Sequence, residues 1–345
     1  MIYDLIVVGN GLAAQTFLME LFGHIGLNDK KYQNFSVAQV FSEETAPACS
    51  LRTTASVSLS GIAPGVSELG DDLRKSFFLF EDFVAKERPE SVEAIKQYIS
   101  YSTLAEKEKL IRRYGELIPI HSPLFKTDMS GTTLDSYIVD PLIHAEWFNK
   151  KIASQKIVLK NNFLKAMSKN EDGTFSCELM SAEILTARKI ILCTGAYARI
   201  FSQFYALTAQ LQNTQVVAGS YLQKTINLGC PSFYVTIDGH NLIYRSATCQ
   251  LIMGSASYKG AFLAPDFAEL NKIYQVFSNA LRPALGSFED FKTITGLRHK
   301  AQKRKPLACA LNDEKSVYVI SGFYKNGFSV SHLCAKKIVG EIFNS

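Results

Sequence analysis

The first residues suited to chemistry are glycines. Gly9-x-Gly11-x-x-Ala14 follows an apolar run, Tyr3–Val8, and opens a helical pattern over Leu12–Phe22. In a strand–turn–helix of this kind the first glycine makes the tight turn. The second lets backbone approach a pyrophosphate, and the small third residue lets helix and strand pack closely. Free N–H groups at the helix start, beginning with Leu12 and Ala13, and the positive end of its dipole suit phosphate oxygens. An acidic residue for a ribose hydroxyl is expected about 20 residues on, at the end of the second strand. The strand candidate Phe35–Phe41 ends in Ser42-Glu43-Glu44; Glu43 is assigned that role, with Ser42 the other occupant of the slot. The pattern predicts a dinucleotide site.

Two later glycine turns match this chemistry. A buried strand from Lys189 ends in Cys193-Thr194-Gly195, which leaves bare backbone for phosphates. Gly322 and Gly327 bracket the start of a terminal helix after the strand Val317–Ser321. Arg52-Thr53-Thr54, in a Ser/Thr/Ala/Gly-rich irregular segment over 45–66, offers hydroxyls and N–H groups.

The elements that must position these residues follow from periodicity. Helical spacing covers 71–88, 104–114 and 265–283, and Asp140-Pro141 caps a helix running to about Ile152. Ile157–Lys160, Leu164–Met167, Phe175–Leu179 and Ala182–Thr186 alternate like short antiparallel strands. Residues 215–255 are strand-rich, with Asp238-Gly239 as a hairpin turn. A β-α-β start, a strand-rich middle and a closing strand-glycine-helix predict two interleaved domains.

Three separated segments together resemble the D-amino-acid oxidase superfamily, which includes glycine oxidase and sarcosine oxidase. They are Asp4–Ala14 (DLIVVGNGLAA), Ile190–Tyr197 (IILCTGAY) and Ser321–Phe328 (SGFYKNGF). Val139-Asp140-Pro141 and Gly296-Leu297-Arg298 stand in matching order. The resemblance spans most of the chain. It implies an α/β fold, a Rossmann-like FAD-binding domain with an interleaved, mostly antiparallel-sheet substrate domain. The expected division gives 1–75, 135–215 and 290–345 to FAD and 76–134 and 216–289 to substrate.

The resemblance also implies roles. Gly9, Gly11, Leu12, Ala13, Ala14, Glu43, Arg52, Thr53, Thr54, Leu164, Cys193, Thr194, Gly195, Gly322, Phe323, Asn326, Gly327 and Phe328 would hold FAD, Leu164 at the adenine. Arg298 would pair the substrate carboxylate through two parallel hydrogen bonds. Lys325 would stand near the flavin, Tyr324 would close the pocket, and Asn241 and Tyr244 would face the ring. The implied reaction is oxidation of a small amino acid or secondary amine by hydride transfer to flavin. Alternatives are 2-hydroxy-acid oxidation, oxidation of a modified tRNA base, or a non-catalytic FAD-binding protein.

The chain departs from the family pattern after Arg298. The segment His299-Lys-Ala-Gln-Lys-Arg-Lys-Pro306 is densely basic and lacks the usual acid. It reads either as a surface loop or as a patch for an anionic macromolecule such as nucleic acid, without the interleaved aromatics that would strengthen the second reading. Cys309 has different surroundings from the cysteine that anchors flavin in sarcosine oxidases, so FAD is expected to be non-covalent.

Composition bounds the rest. The 345 residues are 47% hydrophobic with net charge +5, a globular balance with a mild preference for anionic ligands. The seven cysteines form no CxxC pair, which fits free thiols in a reducing compartment and no metal site. The N-terminus lacks a signal-peptide pattern, and no apolar run approaches the ~20 residues of a membrane span. A cytoplasmic location is expected. Nothing in the sequence specifies an oligomer.

Overall fold

Strands that are apolar on both faces build the first of two sheets. The computed structural model describes residues 1–27, 29–32, 34–43, 48–62, 65–127, 129–198, 211, 213–259, 264–282 and 285–343. Glu44, parts of the irregular segment over 45–66 and the last residue of the 265–283 pattern lie outside the described residues. In chain order the first half comprises β1 (Ile2–Val8), α1 (Leu12–Leu27), α2 (Asp29–Tyr32), β2 (Val37–Phe41), β3 (Ser56–Ser58), α3 (Glu68–Glu87), β4 (Val92–Ser100), α4 (Leu104–Tyr114), β5 (Ile118–Ile120), β6 (Met129–Val139) and α5 (Pro141–Ala153). The second half comprises β7 (Ile157–Asn161), β8 (Leu164–Lys169), β9 (Phe175–Leu179), β10 (Ile184–Leu192), β11 (Gln215–Thr225), β12 (Phe233–Ile237), β13 (His240–Arg245) and β14 (Gln250–Lys259). It ends with α6 (Phe267–Ala280), β15 (Lys292–Lys300), β16 (Leu307–Ala310), β17 (Val317–Ser321) and α7 (Gly327–Phe343).

The first sheet runs β16-β17-β10-β1-β2-β7. The five strands from β17 to β7 are parallel, and β16 closes the edge antiparallel. Helices α1, α3, α5 and α7 cover one face, where Leu5, Val7, Phe17, Phe80, Phe148 and Ile338 are buried together. β8 and β9 continue antiparallel from the first half of β10 and cover the other face. The second sheet runs β15-β11-β14-β13-β12-β4-β6-β3 and is antiparallel except where β12 meets β4. Helix α6 buries Leu270, Ile273 and Phe277 against it.

Local signals explain several boundaries. The Asp140 carboxylate accepts from the N–H groups of Leu142 at 3.1 Å and Ile143 at 3.2 Å, and Pro141 takes the first turn. Asp238 and Gly239, both at positive φ, form the expected hairpin turn between β12 and β13.

Some expectations are corrected. α1 continues through Gly23 and Gly26 to Leu27, because tertiary packing offsets glycine's weak helix preference: His24 stacks on Phe343 of α7 at 4.5 Å. Ile157–Lys160 is a parallel edge strand against β2, not an antiparallel one. Ile184–Thr186 and the strand from Lys189 belong to one strand, β10, which pairs antiparallel with β9 and then parallel with β1, while Ala182 and Glu183 stay in the turn before it. The β4–β6 ribbon was not legible, since β4 has exposed residues on both faces over its first half. β3, β15 and the C-terminal end of β6 (residues 135–139), which lie in segments expected to hold FAD, pair into the second sheet.

Candidate functional site

The carboxyl ends of the parallel strands meet the second sheet across a cleft of about 660 Å³. Turns after four successive parallel strands line it: Gly9, Gly11, Leu12 and Ala13 after β1; Ser42 and Glu43 after β2; Cys193, Thr194 and Gly195 after β10; and Gly322, Phe323, Gly327 and Phe328 after β17. This is where open α/β sheets bind ligands, because the strand order leaves a crevice there. Arg52, Thr53, Thr54 and Leu164 line the same cleft. Ala14 and Asn326 do not: Ala14 is fully buried in the packing between helix and sheet, and Asn326 precedes α7 and accepts from Val330 N–H at 3.0 Å.

The glycine turn is held from below. Gly9 sits at φ +120°, and a Cβ there would lie 2.5 Å from the Cys193 carbonyl oxygen, so only glycine fits without backbone movement. The Gln39 amide, 2% exposed, donates to Gly9 O at 2.8 Å. Leu12 N–H donates to Ser50 Oγ at 3.3 Å. The opposite turns are tied together: Ser321 Oγ donates to Gly195 O at 3.2 Å and lies 2.6 Å from His299 Nδ1. Glu43 is exposed and its Oε2 accepts from the Asn161 amide at 3.1 Å, which leaves the other carboxylate oxygen for a hydroxyl.

These residues fit FAD. The crevice has glycine backbone where a pyrophosphate needs close approach. Two helix starts stand in its wall, α1 and α7, each with first-turn N–H groups lacking intrahelical partners. The buried Thr194 hydroxyl, also in the wall, has no hydrogen-bond partner among the described residues. A buried hydroxyl in this state is able to hydrogen-bond a bound ligand.

The second sheet supplies the other wall. Arg298 on β15 is only 6% exposed, and its guanidinium donates to Ser257 Oγ at 2.8 Å and Ser255 Oγ at 3.2 Å. Among the described residues no carboxylate pairs with it. A second buried arginine shows the contrast. Arg245 on β13, 4% exposed, donates to the Thr54 and Val139 carbonyls and lies near Asp140. Arg245 has two backbone carbonyls and the nearby Asp140 around it and does not line the cleft; among the described residues Arg298 has two neutral hydroxyls as its hydrogen-bond partners and does line it. A buried cation in that state is a site for an anion.

Asn241, Tyr324 and Lys325 also line the cleft. The Asn241 carbonyl accepts from the Thr236 hydroxyl at 2.9 Å. Tyr324 stands at φ +52°, its N–H donating to His299 O at 3.0 Å. Desolvation, with Arg298 and Arg304 adding repulsion, lowers the Lys325 ammonium to about 8. The reading of Tyr244 as a cleft residue is corrected. It lies three positions after Asn241 on one strand, so it faces the opposite side. There it is 1% exposed, packs on Phe233 with ring centroids 5.5 Å apart, and accepts from Leu228 N–H at 3.2 Å.

The basic segment after Arg298 is corrected in part. Arg298 and His299 are buried strand residues, Lys300 ends the strand half-buried, Ala301 is buried, and only Gln302 to Lys305 form an exposed turn. Cys309 sits on edge strand β16 and does not line the cleft. Sequence reasoning missed Gln39, Ser50, Ser255 and Ser257, all common polar residues without motif context. It also missed Gly219, where a Cβ would fall 2.3 Å from the Arg298 guanidinium. Its only sequence signal is a glycine inside a strand, which marks a close approach.

Comparison with known proteins agrees with this geometry. No curated protein matches the sequence. A glycine oxidase from Bacillus cereus ATCC 14579 superposes with a TM-score of 0.80 at 15% identity, covering 99% of this chain and 97% of that one. An iminodiacetate oxidase from Chelativorans sp. BNC1 gives 0.78 at 13%, covering 99% and 95%. A dithionite-reduced L-α-glycerophosphate oxidase from Mycoplasma pneumoniae with FAD bound gives 0.79 at 15%, covering 100% and 95%. At these identities the likeness establishes a shared fold. The family model for FAD dependent oxidoreductases (DAO) matches residues 39–340, most of the chain and the lining of the cleft apart from Val8–Ala13. The chain belongs to the FAD-dependent oxidoreductase family, and Thr194, Gly195, Gly322 and the start of α7 fall within the matched residues.

Proposed function

We propose that this cytoplasmic enzyme oxidises a small amino acid or secondary amine that carries a carboxylate. One observation carries the reading: a guanidinium, buried in the cleft wall opposite the glycine turns, has hydroxyl partners but, among the described residues, no carboxylate. The Arg298 fork would take the substrate carboxylate, and Ser255 and Ser257 would hold the fork in place. Non-covalently bound FAD would supply the two-electron acceptor. Gly9, Gly11, Thr194, Gly195 and the N-terminus of α1 would hold its pyrophosphate, Glu43 its ribose, and Leu164 its adenine side. The N-terminus of α7, at Gly327 and Phe328, would place a positive dipole end against the flavin ring. Asn241 and Tyr324 would bound the substrate volume and exclude water. In this arrangement the first sheet holds cofactor and the second holds substrate.

The test is an anaerobic titration of the purified yellow protein with amino acids, N-methyl amino acids and 2-hydroxy acids, followed by its visible spectrum. Bleaching by the first or second class supports the proposal. Bleaching by hydroxy acids alone moves the reaction to C–O oxidation at the same Arg298 site. A flavin that no member bleaches defeats the small-substrate reading.

A further inference from the structure

We propose that the cleft takes a substrate with a second anionic group, a carboxylate or a phosphate, bound at a collar of cations around Tyr324: Lys300, Arg304 and Lys325. This rests on the reading of Arg298 as the site of the first carboxylate. Tyr324 and Lys325 line the cleft, and Lys300 and Arg304 stand beside the ring just outside that lining. Lys300 Nζ lies 5.6 Å from its centroid, Arg304 Cζ 5.7 Å and Lys325 Nζ 5.7 Å. An aromatic face attracts one cation well, but three at one ring repel one another, and the ring offsets only part of that.

No acid answers them. Among the described residues none of the three cations has a carboxylate within ion-pair distance, whereas Lys305, next in the chain, pairs with Glu68. The acids around neighbouring His240 are already engaged: Asp238 accepts from Ser102, Glu106 pairs with Lys109, and Glu269 with Lys272. Arg298 is among the charges acting on Lys325, so the collar and the carboxylate site belong to one electrostatic region. A simple amino acid neutralises Arg298 and leaves the collar unanswered. A dianion neutralises both, and the turn 302–304 places Arg304 at the solvent side, where a longer substrate arm would end.

The test uses the holoenzyme and dead-end ligands, read by the shift they cause in the flavin absorbance. Acetate probes the first site, succinate a second carboxylate, and phosphonoacetate a phosphate-like group. The expected result at low salt is that at least one dianion binds on the order of 10-fold more tightly than acetate. That ratio should fall toward one in Lys300→Gln/Arg304→Gln and at high salt. Equal affinities of acetate and both dianions overturn the proposal, as does a dianion advantage that survives the double substitution. If no carboxylate shifts the spectrum, the Arg298 reading itself fails and takes this one with it. Salt-sensitive binding of single-stranded RNA without any preference for dianions overturns it in favour of a macromolecular ligand.

Discussion

The two walls of the cleft are built from different material. The first-sheet wall is backbone: glycine turns, helix starts and carbonyls locked by Gln39 and Ser321. The facing wall is side chain: Arg298 and Asn241 from the second sheet, joined by Tyr324 and Lys325 from the turn after β17; Arg298, Asn241 and Tyr324 are each positioned by a neighbour on another strand or turn. A backbone wall recognises what all members of a family share, because its geometry depends on a few glycines. A side-chain wall can be rewritten one residue at a time, so it is where substrate choice resides.

The comparison can be broken most forcefully at Gly9. Gly9→Val places a branched side chain against the Cys193 carbonyl and at a positive φ, so the purified protein should lose most of its flavin absorbance. Retention of full flavin would mean that the backbone wall tolerates what the geometry forbids. The corresponding change on the other wall, Arg298→Gln, should leave flavin bound and lower kcat/KM for a carboxylate substrate by about 100-fold, the scale of a charge-assisted hydrogen-bonded pair. An unchanged KM would remove Arg298 from the substrate site.

Gly219→Ala sharpens the distinction. Its new Cβ would occupy the space of the Arg298 guanidinium, so the arginine must shift although it is not itself altered. KM should rise by roughly 10-fold with flavin content intact; a loss of flavin instead would show that the two walls are not separable.

A smaller effect concerns pH. The Lys325 ammonium, lowered to about 8 by desolvation and by Arg298 and Arg304, is charged below that pH and neutral above it. Anion affinity at the collar should therefore weaken by a few-fold as pH rises from about 7 to about 9. The same titrations of the holoenzyme measure it, and a flat profile would place Lys325 outside the anion's reach. The smallest effect is expected at Glu43→Gln. The carboxylate is exposed and shares its charge with Asn161, so flavin affinity should fall only a few-fold by equilibrium dialysis.

The sequence and the structure divided the problem along the same line as the two walls. Gly9-x-Gly11 after an apolar strand announced the cofactor turn, since a glycine requirement is local: a sharp turn and a close backbone approach permit almost nothing else. The helix cap at Asp140 and the turn at Asp238-Gly239 were legible for the same reason, as each depends on residues within four positions. The ribbon β4–β6, the change of partner midway along β10 and the reach of α1 to Leu27 were not legible, because each is decided by what packs across from it.

The side-chain wall was partly legible. Arg298 was found through its family context, but its hydroxyl partners Ser255 and Ser257 lie some forty residues away on β14. Tyr244 was assigned to the wrong face, because only the strand's orientation in the sheet says which alternate residues meet the cleft. By itself, then, the sequence determined the cofactor turns, the caps and the class of fold, all set by short-range steric and hydrogen-bonding rules. Tertiary structure alone decided which charges lack a partner. A cation is unanswered only once every strand that could bring an acid to it has taken its place.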